Sequence, residues 1–243
     1  MRIKIYLLLF ILAAFSPAEA QKKVSFRASD GLMVTADEYF LTDSLPWILM
    51  FHQSASSRGE FREIAPKLTR LGYNGLAVDL RHGREMNFIN NETNQAALKN
   101  NYSVSMKDAR HDINAAINWV AGRSELPYIL FGSSFSASLA MIAAKENSLP
   151  NAVIAFSPGE FFGHPEIVKN AVRNLDIPVF IAATKQEFPY VTELSSGIGL
   201  DNKTIFTPSE ITGTHGARAL WESEEGSQEY WLSLLIFLNR INN

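Results

Sequence analysis

Hydrophobic positions along the chain follow two rhythms. Trp47 to Phe51, Gly75 to Leu80, Tyr128 to Phe131, Ala152 to Phe156 and Ile177 to Ala183 are apolar almost throughout, the pattern of short strands covered on both faces. Between them the apolar residues return at helical spacing. Ser57-x-x-Glu60 forms a capping box for a helix that Gly72 stops, and Ala109, Ile113, Ala116, Ile117 and Val120 mark a helix from Ser105 to Ala121. A third helix follows Ser134 to about Lys145, and Gln228 to Ile241 closes the chain as an amphipathic helix. Strands alternating with helices predict an α/β fold, a three-layer α/β/α sandwich around a mostly parallel, doubly wound sheet. Val24 to Arg27 and Met33 to Phe40 flank the turn signal Asp30-Gly31, which adds an antiparallel pair at one sheet edge; Lys203 to Phe206 is the last strand. Glu85 to Ser103 is polar and rich in Asn, and is expected to be a surface insertion. Asp108 and Asp112 are expected on the solvated or loop-facing side of their helix.

Composition narrows the class. With 243 residues, 47% of them hydrophobic, the chain can bury one sizeable core. A formal charge of −3 without any long Lys/Arg run gives no footprint for nucleic acid. The absence of cysteine excludes disulfides, thiolate metal sites and a cysteine nucleophile, so covalent catalysis must use an oxygen. No metal or cofactor is expected. Basic Met1 to Lys4, the short apolar run Ile5 to Phe15 and the small-x-small site Ala18-Glu19-Ala20 read as a cleaved signal peptide over residues 1–20. The expected product is one domain over 21–243, secreted or periplasmic, with no lasting membrane anchor; no feature sets its oligomeric state.

The chemistry gathers where strands end. Gly132-Ser133-Ser134-Phe135-Ser136 sits between an apolar strand and a helix, and small residues two before and two after Ser134 suit a nucleophile elbow, whose crowded backbone tolerates little else. Ser133 is disfavoured as nucleophile, because Phe135 would then occupy the small position. The end of the first buried strand places the backbone N–H of Gln53 where it could face a developing oxyanion. His82, also at a strand end, is a possible base or a plain loop histidine. Glu160 follows another strand, and Phe161 and Phe162 could form an apolar wall for substrate or pack in the core. Glu187 follows the next strand, and His215 lies in Gly213-Thr214-His215-Gly216. A serine hydroxyl needs a base to remove its proton, and an imidazole needs a carboxylate to fix its tautomer. Ser134, Glu187 and His215 supply those roles in that order, with Glu160 an alternative acid.

In Phe51-His52-Gln53-Ser54, Gly132 to Ser136, Lys185-Gln186-Glu187 and His215-Gly216, the chain resembles the α/β-hydrolase superfamily, and within it the dienelactone-hydrolase-like branch. The resemblance spans about residues 24 to 242. It implies a Ser134-Glu187-His215 triad with an oxyanion hole from the Gln53 and Phe135 backbone N–H groups. Ser136 departs from the second elbow glycine, and Glu187 from the usual Asp. The expected activity is a serine hydrolase, a carboxylesterase that cleaves a small-molecule ester through an acyl-enzyme. A peptidase or thioesterase on the same triad, and a non-catalytic binding protein with the hydrolase fold, are the alternatives.

Overall fold

The apolar runs become the centre of an eight-stranded sheet in the computed structural model, which describes residues 21–242. The signal peptide expected over 1–20 lies outside the described residues. In chain order the strands are β1 (Gln21–Arg27), β2 (Met33–Tyr39), β3 (Trp47–Phe51), β4 (Asn74–Val78), β5 (Tyr128–Ser133), β6 (Pro150–Phe156), β7 (Val179–Ala182) and β8 (Lys203–Phe206). Their spatial order is β1-β2-β4-β3-β5-β6-β7-β8. β1 and β2 form an antiparallel pair that joins β4 antiparallel, and every other neighbour is parallel. All carboxyl ends from β3 to β8 therefore lie along one edge, where a doubly wound sheet gathers its functional loops.

The helices are α1 (Ala65–Arg70), α2 (Glu92–Lys99), α3 (Arg110–Ala121), α4 (Phe135–Glu146), α5 (Ile167–Ala171), α6 (Phe188–Leu194) and α7 (Ser227–Ile241). Successive strand side chains point to opposite faces, so each strand feeds two cores. Ile48, Met50, Ile129, Phe131, Ile154, Phe156 and Phe180 pack with α1 and α7. Leu49, Phe51, Leu130, Val153, Ala155 and Ile181 pack with α3, α4, α5 and α6. Among the described residues no helix is long and apolar enough to cross a membrane.

Three expectations are corrected. The helix from Ser57 to Gly72 is broken into a 3-10 turn at Arg58–Phe61 and α1, which carries Pro66 in its first turn. Ser57 does cap that turn, its hydroxyl accepting from Gly59 N–H at 3.1 Å, but Glu60 turns inward instead of closing the box. The polar surface stretch after Glu85, which shows no helical period, nevertheless contains α2. Its cap Asn91 is buried, the Asn91 amide donating to the Leu80 carbonyl at 2.9 Å and the Ser56 carbonyl at 3.2 Å. Asp112 is fully buried, because Arg81 crosses the sheet edge to meet it at 2.8 Å and Asp30 at 2.6 Å.

Candidate active site

β5 delivers the chain into a turn that only small neighbours permit. A Cβ on Gly132 would stand 2.4 Å from the Ser136 carbonyl oxygen and 2.4 Å from Ala137 Cα. Ser136 fits where a second glycine is usual because its side chain is used: its Oγ lies 2.7 Å from the Phe51 carbonyl and accepts from Ser133 N–H at 2.9 Å. Between them Ser134 adopts φ 60° and ψ −123°, a conformation costing a non-glycine residue about 1–3 kcal/mol. Its N–H donates to the Phe156 carbonyl at 2.7 Å, which ties the turn to the neighbouring strand.

Ser134, His215 and Glu187 come together although they are separated by up to 81 positions. His215 Nδ1 meets a Glu187 carboxylate oxygen in a short hydrogen bond. With Nδ1–H donated there, Nε2 is left to accept from the Ser134 hydroxyl, 2.9 Å away. The other Glu187 oxygen accepts from Thr184 N–H at 2.9 Å and Ser157 Oγ at 2.8 Å. Burial pushes the Glu187 carboxyl up, but the bonds from His215, Thr184 and Ser157 outweigh it and take it down to about 2. Ser157 also accepts from Gly216 N–H at 3.0 Å, so one hydroxyl holds both the acid and the histidine loop. The sequence reading missed it; its only local sign is its position directly after β6. Ser134 is 6% exposed while the His215 side chain is 46% exposed, so the imidazole stands at the solvent boundary above a sheltered hydroxyl.

The other candidates lie apart from this chain of bonds. Glu160 caps α5, its two oxygens accepting from Val168 N–H at 2.8 Å and Lys169 N–H at 2.9 Å. Ser133 does not meet His215: its hydroxyl donates to Glu60 at 2.7 Å and accepts from Ala217 N–H at 2.8 Å. His82 donates Nδ1–H to the Val104 carbonyl at 2.8 Å and accepts from the Ser54 hydroxyl at 3.0 Å. Its ring meets Phe135 edge-on, with centroids 5.3 Å apart. A cavity of about 510 Å³ opens there, lined by Ser54, His82, Arg84, Asn94, Leu98 and Val104 among others. Phe161 folds back on Gly159 and remains partly exposed, whereas Phe162 joins Leu139 and Ile142 around a cavity of about 190 Å³.

The N–H of Gln53 corrects an expectation. It donates to Glu60 at 2.8 Å and is not free to meet an oxyanion. The loop register explains this, because Glu60 is drawn under the loop and takes the donor that points inward. The next donor, Ser54 N–H, has no acceptor among the described residues. Phe135 is the first residue of α4, so its N–H has no intrahelical acceptor.

A geometry of this kind has relatives. No sequence among curated proteins matches the chain. An esterase of Pyrococcus furiosus superposes with a TM-score of 0.65 at 17% identity, over 90% of this chain and 90% of that one. A dienelactone hydrolase of Anabaena variabilis superposes with a TM-score of 0.65 at 18% identity, over 88% of this chain and 94% of that one. At such identities the likeness establishes the α/β-hydrolase fold, with its eight-stranded, mostly parallel sheet. The model of the dienelactone hydrolase family matches residues 30–198, which include β2 to β7, the elbow and Glu187. The chain therefore belongs to the dienelactone hydrolase family of the α/β-hydrolase superfamily.

Proposed function

We propose that this hydrolase is an exported serine esterase that cleaves small carboxylic esters through an acyl-enzyme, with no metal or cofactor in the reaction. The observation that carries the reading is the hydrogen-bonded run from Ser134 Oγ through His215 to Glu187, set on a strained elbow. His215 Nε2 takes the Ser134 proton as Oγ attacks the ester carbonyl, and Glu187 stabilises the imidazolium that forms. The tetrahedral oxyanion is received by Phe135 N–H and by Ser54 N–H, the latter in place of Gln53. The imidazolium then protonates the departing alkoxide, and water repeats the sequence on the acyl-enzyme. The cavity beside Ser54 and His82 takes one arm of the ester. The exposed face of His215 leaves the site open to ester arriving from solvent.

The test is reaction with a fluorophosphonate followed by peptide mass mapping, alongside turnover of p-nitrophenyl esters of graded acyl length. Labelling on Ser134 with turnover of short-chain esters is expected. Folded protein that neither labels nor turns over ester would favour the binding-protein reading. Export rests on residues 1–20; protein recovered from its host should begin at or near Gln21, and an intact Met1 in its mass would refute export.

A further inference from the structure

Glu60 is a buried carboxylate that the reaction above does not use. Its side chain is fully buried, and among the described residues no Lys, Arg or His forms an ion pair with it. Isolated carboxylates are costly to bury, so its hydrogen bonds must compensate. Oε1 accepts from the Ser133 hydroxyl at 2.7 Å, and Oε2 accepts from Gln53 N–H at 2.8 Å and the Ser56 hydroxyl at 3.2 Å. The Glu60 backbone carbonyl accepts from the Trp221 indole N–H at 2.8 Å. Burial pushes the carboxyl up, while the Ser133, Gln53 and Ser56 donors and, less strongly, the Arg218 charge hold it down.

The carboxylate's partners come from two segments, each one or two residues from Ser54 or Ser134, and Ser133 links them to a third. Gln53 precedes Ser54 in the loop after β3. Ser133 precedes Ser134, and its oxygen passes the network on to Ala217 N–H at 2.8 Å, two residues after His215. The junction has little slack: a Cβ on Gly216 would stand 2.7 Å from Ser133 Oγ and 2.9 Å from the Gln53 side-chain oxygen. A carboxylate is the group this place requires, because it accepts from several donors at once and offers no hydrogen of its own. An amide there would turn an NH₂ toward either Gln53 N–H or the Ser133 hydroxyl.

We propose that Glu60 is a positioning residue that fixes the oxyanion loop to the elbow and the elbow to the histidine loop. By taking the Gln53 N–H inward it leaves Ser54 N–H as the donor facing the oxyanion, and through Ser133 it sets the distance between Ser134 and His215. The proposal rests on the serine-esterase reading above.

Glu60→Gln is the test, read by kcat and KM on a p-nitrophenyl ester and by the affinity for two inhibitors. One is a boronic acid, which forms a tetrahedral adduct on serine; the other is a planar, non-hydrolysable amide analogue of the same substrate. The expected result is a kcat lower by roughly 100-fold, the size of losing an oxyanion donor, with KM changed less than about threefold. Boronate affinity should fall in step with kcat, and amide affinity should hold. A kcat within about twofold of the parent for the folded variant, or equal losses in boronate and amide affinity, would overturn the proposal. Should Glu60→Gln fail to fold, Ser133→Ala removes one link while leaving the carboxylate in place. It should lower kcat about tenfold with the same boronate-selective signature, and unchanged kcat there would overturn the proposal as well. Parent enzyme that neither labels nor turns over ester defeats the esterase reading and this proposal together. An active parent beside an equally active Glu60→Gln defeats this proposal alone.

Discussion

On the β3–β4 side of Ser134 two arginines are buried against carboxylates. Arg58 lies between Asp37, Asp79 and Glu92 at 2.5–3.0 Å, and Arg81 lies between Asp30 and Asp112. His52, fully buried, donates Nδ1–H to the Gln53 carbonyl at 2.7 Å and accepts from Leu80 N–H at 2.9 Å. On the β7–β8 side the strands are four residues long, the acid side chain is 25% exposed and the histidine stands at the surface. Two glutamates sum up the difference. Glu60 is shut away from water and pushed up by burial, while Glu187 borders solvent and is held at about 2 by its donors. The proposed reaction asks the first side to hold backbone donors still and the second to let an imidazole gain and lose a proton. Removing an ion-pair partner of Arg58 or Arg81 should therefore cost mainly stability, whereas removing the charge of Glu187 should cost mainly rate.

The largest effect belongs to the residue between the two sides. Ser134→Ala should lower kcat by roughly a millionfold with the fold intact, as loss of a triad nucleophile does; retained turnover would remove the mechanism. Glu187→Gln should lower kcat by roughly 10⁴ near neutral pH, because an amide no longer fixes the imidazole tautomer. Glu160→Gln, which only alters the cap of α5, should stay within about threefold. A reversal of that ranking in steady-state assays would return the acid to the earlier strand.

Stability measurements address the opposite side. Asp112→Ala leaves the Arg81 guanidinium buried with only Asp30 as counter-ion, and should cost about 3–5 kcal/mol in urea unfolding. Its kcat per folded molecule should fall far less than that of Glu187→Gln. Equal losses of rate would dissolve the contrast between the two sides.

The smallest effect is one of pH. Burial lowers His52 from 6.5 to about 4, with Gln53 opposing and His82 and Arg58 adding to the shift. The unfolded chain then binds more protons than the folded one between those values, so stability rises with pH across that window. Acidifying from 6.5 to 4 should remove roughly 3 kcal/mol through this group, at about 1.4 kcal/mol per pH unit. Glu187, lowered from 4.5 to about 2, acts further down: its contribution is present above 4.5 and is lost as pH falls toward 2. Burial raises Asp79 from 3.8 to about 6, which adds stability as pH falls over the same range, so the His52 contribution is read as the difference in urea midpoints between the parent and His52→Gln from pH 7 to 3. A difference that does not shrink down to pH 4.5 would mean that His52 does not sit neutral in the fold.

How the chain reads in advance divides along a physical line. The strands from β3 to β7 were legible because burial on both faces demands continuous apolar runs, and the elbow because a steric limit acts within five residues. That Ser134, Glu187 and His215 meet follows from each lying in a segment after a strand, on the edge where a parallel sheet collects its loops. The helix α2 was not legible within the polar stretch Glu85 to Ser103 because it is held by Asn91, Thr93 and other polar contacts, not by an apolar stripe. Asp112 looked solvated because its partner is 31 residues away. Sequence by itself determined the layers, the turn that carries the serine and the inventory of reactive groups, since these follow from local sterics and apolar periodicity. Only the tertiary structure decided that Gln53 gives its N–H to Glu60, that Ser157 joins the acid to the histidine loop, and that Glu60 meets Ser133 across 73 positions. Hydrogen bonds between distant loops leave no period in a sequence, and which donor remains free depends on which of them form.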